Sequence, residues 1–490
     1  MNGKSSVQEL EQIASSTMDA MRGMSAGNDS PYIAALFFLK FLSDLRREQI
    51  DRPGRKSWRP AWRALKLEKG CNWEHLCHAL GQPDLAFRID AALRTIESQN
   101  PNLLEGVFRN IRFEQFSRME AQGVRPLSKA VDILSKADFR PASFENPEEI
   151  GDFFERFLHL LAEREGRSGG EFYVPSALAN LLTSLLNPRP GEVTLDPVCG
   201  SGILLSRVAR HVGPKHGPIV GQDQRLENWS ICKMNLLFRG MPNSGIKLAD
   251  PLRSPILEKS GKLMKADVVL GNPPFGWRDW EGDLLQWTRP ELFRWGLNPR
   301  ARSEAAFLSH MLEVARDKVG RVGIIVSLGT LVRQEEREIR RRLVEENLLV
   351  SVVSLPPKLF QATEIPVAVL MFDKGKETEG VLFIDASQSY ETAGRLNRLP
   401  DSTIDRIAKA VRSQETQPGF CRLVSTEEIR TLNFQLSAPL YVDQTGTEVS
   451  LKGVRELSSE IQEIERELEE VQHELDSCLR ALEAEKLKIT

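Results

Sequence analysis

The chain predicts an α/β fold: a mostly parallel sheet, preceded by a helical region and followed by one long heptad helix. Three observations carry this expectation. From about residue 148 to 445, short apolar runs alternate with helix-length segments, the pattern of parallel strands joined by crossover helices. Residues 1 to about 145 show no convincing strand alternation. From Val454 onward, apolar residues recur at spacings that alternate between three and four. The predicted parts are therefore 1–145, 146–445 and 446–490.

The elements follow in order. The run Tyr32-Ile33-Ala34-Ala35-Leu36-Phe37-Phe38-Leu39-Lys40-Phe41-Leu42 is apolar almost all round, so it predicts a buried helix. Amphipathic segments follow near 73–80, 85–98 and 127–136. Pro141 to Pro147 reads as a linker, and a new helix opens near Glu148. Strands are expected at Glu192–Leu195, Ile219–Asp223, Ala266–Leu270, Val322–Val326, Leu349–Val353, Val367–Phe372 and Val381–Asp385, with a further strand ending near Lys247–Leu252. In the tail, Val454, Leu457, Ile461, Ile464, Leu468, Val471, Leu475, Cys478 and Leu482 form a heptad seam flanked mostly by glutamate. Such a narrow stripe cannot be buried by one helix, so it implies a partner helix. The bland alternative is a hairpin within the chain, although no second heptad region is visible.

Composition bounds the class. At 490 residues, 41% hydrophobic and 27% charged, the chain fits a globular protein of two or three domains. No apolar run reaches the roughly 18 residues of a membrane span. The opening MNGKSSVQELEQ lacks a hydrophobic signal segment, which predicts a cytoplasmic location and no membrane association. The six cysteines are scattered, which favours free thiols. Cys71, His75, Cys77 and His78 fall on one helix-like segment without a usual zinc spacing, so ordinary packing is expected and no metal site. The net charge of −3 is unlike that of a protein that grips nucleic acid alone. Arg337 to Arg342 alternates with glutamate and reads as a solvated face. The Arg- and Trp-rich stretch Arg52 to Arg63 could meet phosphates or pack on its own domain.

Two motifs carry chemistry. Asp196-Pro197-Val198-Cys199-Gly200-Ser201-Gly202 stands between a strand and a helix, where backbone approaches a ligand closely and offers amide donors. Asp223 ends the second strand, where a carboxylate commonly receives ribose hydroxyls. Asp250 stands near the third strand's end. Asn272-Pro273-Pro274-Phe275 ends the strand at 266–270. It continues a strand poorly, because proline removes a donor. It suits a planar amino group: the Asn272 oxygen and the Pro273 carbonyl can both accept from one NH2, and Phe275 can stack on the plane that carries it. All of these lie at the carboxyl edge of one sheet, where open α/β sheets bind ligands.

With these strings in place, the sequence resembles the modification (M) subunit of type I restriction–modification systems, an adenine-N6 DNA methyltransferase with a Rossmann-like domain. The matching strings are GEFYVP at 170–175, DPVCGSG at 196–202, Asn235-Leu236-Leu237, NPPF at 272–275, AAFL at 305–308, LPPKLF at 355–360 and IPVAVL at 365–370. Ile203 and Leu204 replace a glycine and an aromatic that the family often has, and Asp223 replaces a glutamate. The resemblance implies S-adenosylmethionine as cofactor. Pro197, Gly200, Ser201 and Gly202 would then form its turn, with Asp196 near its amino group and Asp223 on its ribose. Asp250 would lie beside its adenine, Tyr173 and Pro175 by its methionine end, and Asn272 would contact the cofactor as well as the target base. It implies a flipped adenine held by Asn272, Pro273, Pro274 and Phe275, with positioning rather than general base catalysis. Implied partners are duplex DNA and a specificity subunit that binds the C-terminal helix. A second copy of the chain and a restriction or translocase subunit are also implied.

Other readings stay open on chemistry alone: a cytosine-N4, RNA or protein-glutamine methyltransferase, or a non-catalytic cofactor-binding scaffold of a defence complex. A cytosine-C5 enzyme needs a cysteine nucleophile, whereas Cys199 lies in the glycine turn. After the last strand there is no room for a sizeable recognition domain, so sequence reading is expected to be delegated.

Overall fold

The computed structural model describes residues 7–442 except 25–28, 53–58, 67–71, 122, 124, 166–172, 242–244, 259 and 362, together with Arg466. The heptad seam lies outside the described residues, as do Cys71 and residues 170–172 of the GEFYVP string.

The first part is helical. Its main elements are α1 (Val7–Ala20), α2 (Ser30–Asp51), α3 (Leu85–Gln99) and α4 (Pro126–Leu134), followed by α5 (Glu148–Glu165). Helix α2 has Pro31 in its first turn, where the missing N–H costs nothing. It is buried from Ser30 to Leu45 except at Tyr32, as its all-round apolar sequence requires. Lys40 and Asp44 sit within it as an i,i+4 ion pair, and Asp44 also accepts from the Phe139 amide at 2.8 Å. Trp62 is fully buried, its indole donating to the Leu237 carbonyl at 2.6 Å, and Arg59 pairs with Glu148. Trp62 and Arg59 of the Arg- and Trp-rich stretch are thus used in packing, whereas Arg52 and Arg63 are exposed.

The second part is a nine-stranded sheet in the order β11-β8-β6-β7-β5-β4-β1-β2-β3. The strands are β1 (Thr194–Asp196), β2 (Ile219–Asp223), β3 (Ile246–Leu248), β4 (Val268–Gly271), β5 (Arg321–Ser327), β6 (Leu349–Ser354), β7 (Val367–Asp373), β8 (Val381–Asp385) and β11 (Cys421–Val424). Between β8 and β11, β9 (Glu391–Ala393) and β10 (Leu396–Arg398) form a separate hairpin. Strands β3, β2, β1, β4 and β5 run parallel; β7 enters antiparallel between β5 and β6; β8 is parallel to β6, and β11 closes the edge antiparallel.

Alternation assigns the two faces. Val322, Ile324 and Val326 of β5 join one core with Ala368, Leu370 and Phe372 of β7, under α9 (Ser303–Val314) and α10 (Arg337–Glu345). Ile325, Val367, Val369 and Met371 face the opposite core, under α6 (Ser176–Leu186) and α11 (Asp401–Ser413). This is the period-2 geometry of a strand buried on both sides. The helix α10 is only partly the solvated face its sequence predicts. Arg341 and Arg342 do pair outward with Glu338. Arg340, however, points inward and donates to the carbonyls of Thr330, Arg333 and Phe434.

A third core joins the two parts. It runs from α1 through α5 to α7 (Ile203–Val212) and α8 (Leu226–Phe238). The Phe238 ring stacks on Phe41 and Phe154, with centroids 4.4 and 4.0 Å away. The helices that follow β1 and β2 are therefore packed against the helical region.

Candidate active site at the carboxyl edge of the sheet

The turn after β1 is built around Asp196. Its side chain is fully buried; Oδ1 accepts from the Val198 amide at 3.0 Å, and Oδ2 has no hydrogen-bond partner. Burial, together with the nearby Asp223 charge, pushes its carboxyl up to about 8. Gly202 caps α7 at φ +78°, and a Cβ there would lie 2.7 Å from Cys232 Sγ. Only glycine fits both the dihedral and the contact. Asn235 Nδ2 donates to the Ser201 carbonyl at 2.9 Å, and the Cys199 amide donates to the Gln222 carbonyl at 2.8 Å, so the turn is tied to α8 and to β2. Cys77, Cys199, Cys232 and Cys421 are free thiols.

Asp223 stands at the next strand end. It accepts from the amides of Gly200 (3.1 Å) and Arg225 (2.7 Å) and from Asn228 Nδ2 (3.4 Å), which joins the two turns. Burial nevertheless raises its carboxyl above the ordinary range. Asp250 is used locally: Oδ1 accepts from the Leu252 amide at 2.9 Å, and Oδ2 lies 3.5 Å from Arg253. Tyr173 is buried in the helical core, and Pro175 precedes α6, its carbonyl accepting from the amides of Leu178 and Ala179.

Asn272 follows β4 beside the first turn. A Cβ on Gly271 would lie 3.5 Å from Asp196 Oδ1, which places the two motifs side by side. Asn272 Oδ1 is buried and has no hydrogen-bond partner. The turn beyond it is held by α9. Ser303 Oγ donates to the Pro274 carbonyl at 3.1 Å, and the Ser303 amide to the Trp277 carbonyl at 2.9 Å. Glu304, fully buried, accepts from the Gly276 amide at 2.8 Å and from Ser327 Oγ at 2.6 Å. The Phe275 ring meets Phe360 of the LPPKLF string edge-on, with centroids 5.6 Å apart.

Between these turns lies a cavity of about 430 Å³. Of the residues the sequence singled out, Pro197, Asp223, Asn272, Pro274 and Phe275 line it. Asp196, Gly200, Ser201, Gly202 and Pro273 belong to the same two turns but are not in the lining, and neither are Tyr173, Pro175 and Asp250. Sequence reasoning missed Trp277 and Phe307 in the lining and the Ser303–Glu304 pair behind it. The AAFL string beginning at Ala305 marked their helix, but its spacing gave no sign that the two preceding residues would bind the Asn272 turn.

The strand order with a reversed β7, and a glycine turn after β1, define a Rossmann-like methyltransferase fold. The chain belongs to the N-6 DNA methylase family, whose profile matches residues 145–449; residues 10–134 match the HsdM N-terminal domain. Among its relatives, the type I restriction enzyme MjaVIII methylase subunit of Methanocaldococcus jannaschii is 30% identical over 369 residues, covering 72% of this chain and 62% of the relative. The type I restriction enzyme HindI methylase subunit of Haemophilus influenzae is 28% identical over 378 residues, covering 73% of this chain and 83% of that one. The crystal structure of a type I restriction-modification system methyltransferase subunit from Streptococcus thermophilus superposes with a TM-score of 0.78 at 24% identity. That match covers 90% of this chain and all of that one, which shows the shared fold. The resemblance to modification subunits is borne out. No described helix is long and apolar enough to cross a membrane, and among the described residues no group of three His, Cys, Asp or Glu could hold a metal ion.

Proposed function

We propose that the chain methylates the N6 amine of adenine in DNA, using S-adenosylmethionine, as the methyltransferase subunit of a type I restriction–modification complex. The observation that carries this is the buried, unpartnered Asn272 Oδ1 at the wall of the cavity. A buried acceptor without a donor is costly, so such a group points to a ligand that supplies one. An exocyclic amine does so. The orphaned Oδ2 of Asp196 and the glycine turn suit the cofactor in the same way: a carboxylate for an ammonium, and close backbone for the chain beside it.

When bound, S-adenosylmethionine supplies a methyl group on a sulfonium, a strong electrophile. The remaining task for the protein is alignment. Asn272 Oδ1 and the Pro273 carbonyl accept the two amine hydrogens, which draws the nitrogen lone pair out of conjugation. Phe275 stacks on the base, braced edge-on by Phe360. Asp223 accepts from ribose hydroxyls. Because the amine is inaccessible inside a duplex, the base must be rotated out. The type I relatives are themselves named subunits, which supports a multi-subunit complex; in this reading another subunit, bound through the heptad segment, reads the DNA sequence.

The test is methyl transfer by the reconstituted complex, with nucleoside analysis of the product. N6-methyladenine is expected, and Asn272→Ala should abolish transfer while the complex still assembles. Methylated cytosine, or unchanged transfer in that variant, would sink the reading.

A further inference from the structure

We propose that the β9–β10 hairpin, together with the loop around Lys358, is a contact surface for the phosphodiester backbone of the substrate duplex. This rests on the reading that the chain methylates DNA, and it assigns a substrate contact to residues outside the cavity.

The hairpin is physically joined to the turn that would hold the base. Asn397 of β10 donates from Nδ2 to the Pro357 carbonyl at 2.8 Å and from its amide to the Lys358 carbonyl at 2.9 Å. Two residues on, Phe360 meets Phe275. Lys358 has φ +58°, a left-handed conformation unusual for lysine, and the bonds from Asn397 hold the loop there. Backbone held in an unfavourable region beside a binding site suggests that the position of its side chain matters.

The exposed side of this unit carries cations. Gly394, at φ +65°, makes a two-residue turn between Ala393 and Leu396, which sets Arg395 at the tip. Arg395 and Arg398 are both exposed. Arg398 stands opposite Glu391 across the hairpin, yet no N–O contact within 4.0 Å joins them, and among the described residues neither arginine has a carboxylate partner. Among the described residues, the Lys358 ammonium pairs only with the exposed Glu364, at 4.0 Å. The arginines of α10 differ, because Arg341 and Arg342 are neutralised by Glu338.

A nucleotide rotated into the cavity brings its flanking phosphates to the mouth. The exposed guanidinium groups of a hairpin bonded to the Pro357–Lys358 loop fit phosphate oxygens in fork geometry. A chain with net charge −3 cannot rely on a general positive field, so its phosphate contacts must be local.

The experiment uses the full chain assembled with its specificity subunit and a duplex that the wild-type complex methylates. Affinity is measured across a salt series for wild type, R395A/R398A and R395K/R398K. The alanine pair is expected to reduce the slope of log affinity against log salt by about two, roughly one per lost phosphate contact. The KM for duplex should rise, with turnover and S-adenosylmethionine affinity unchanged, and the lysine pair should restore most of the slope. An unchanged slope in R395A/R398A overturns the proposal. So does a well-folded alanine variant that no longer assembles with the specificity subunit, since the hairpin would then be a protein interface. If the wild-type complex methylates no DNA, the functional reading fails, and this proposal with it; a methylating complex with an unchanged slope removes this proposal alone.

Discussion

Asp196 carries the sharpest electrostatic prediction at the residue scale. Its carboxyl is pushed up to about 8 by burial, so near neutral pH the folded chain mostly keeps a proton that the unfolded chain has lost. A raised carboxyl therefore lowers stability as pH climbs from its ordinary value of 3.8 towards 8. To meet a ligand ammonium it must first release that proton. Cofactor affinity should thus rise from pH 6 towards pH 8, by up to about tenfold per unit. Above that, the ligand's own amine begins to lose charge. Titration calorimetry across this range checks it: Asp196→Asn should flatten the acid limb, and a flat wild-type profile below pH 8 would remove Asp196 from the ammonium site. Glu304 carries a different prediction. It does not line the cavity, yet it fixes the Gly276 amide directly after Phe275. Glu304→Gln keeps the shape but cannot accept from both Gly276 and Ser327 with equal geometry. Displacing a stacking ring by a fraction of an ångström can cost on the order of 10–100-fold in turnover. That loss should appear in kcat, with cofactor affinity unchanged; a loss seen only in cofactor binding would contradict it.

At the scale of elements, the turn between β1 and α7 combines two constraints at one position. Gly202 is left-handed and abuts Cys232 Sγ. Gly202→Ala should cost about 1–2 kcal/mol in backbone strain alone, plus the contact. Adding Cys232→Ala should recover the contact but not the strain, and a double-mutant cycle of denaturant midpoints separates the two. This turn was legible in the sequence because glycine, aspartate and flanking apolar runs are local signals. So were β1, β2 and β4 to β8, whose apolar residues announce burial. The edge elements were not legible. Hairpin β9–β10 and strand β11 are short and partly polar, and β11 is paired on one side only, to β8. The position of β7 between β5 and β6 was equally hidden, since strand order is set by pairing between distant segments. The same holds within the site. Asn272 declares itself by its neighbours, whereas Glu304 acquires a role only when α9 folds back on a turn 28 residues earlier. Arg340 shows the converse error, where a charged string predicted solvent and one residue in it was needed inside.

Over the whole molecule, the helical region grips the two helices that lead away from the glycine turn and from Asp223. Glu155 of α5 accepts from Ser176 and pairs with Arg207 of α7 and with Arg239 just beyond α8. Burial disfavours its charge, yet Arg239 and Arg207 together hold its carboxyl below the ordinary range. It therefore contributes stability that is present above the ordinary carboxyl range and is lost as pH falls through its lowered value. Glu155→Gln would leave the buried Arg239 and the half-buried Arg207 short of their counter-charge. Breaking a buried network in this way costs about 3–5 kcal/mol. The effect should reach the cofactor as well, because α7 starts at Gly202 and α8 follows Asp223. The expected result is a lower melting temperature together with weaker S-adenosylmethionine binding. Phe238→Ala, which removes the ring between Phe41 and Phe154, should lower the melting temperature comparably, at about 3–5 kcal/mol. It should also separate the melting of the helical region from that of the sheet. If Glu155→Gln lowers the melting temperature but leaves cofactor affinity at the wild-type value, the helical region only stabilises the fold. A parallel loss of both would mean that the geometry of the cofactor turn depends on a docking surface built from the first 165 residues of the chain.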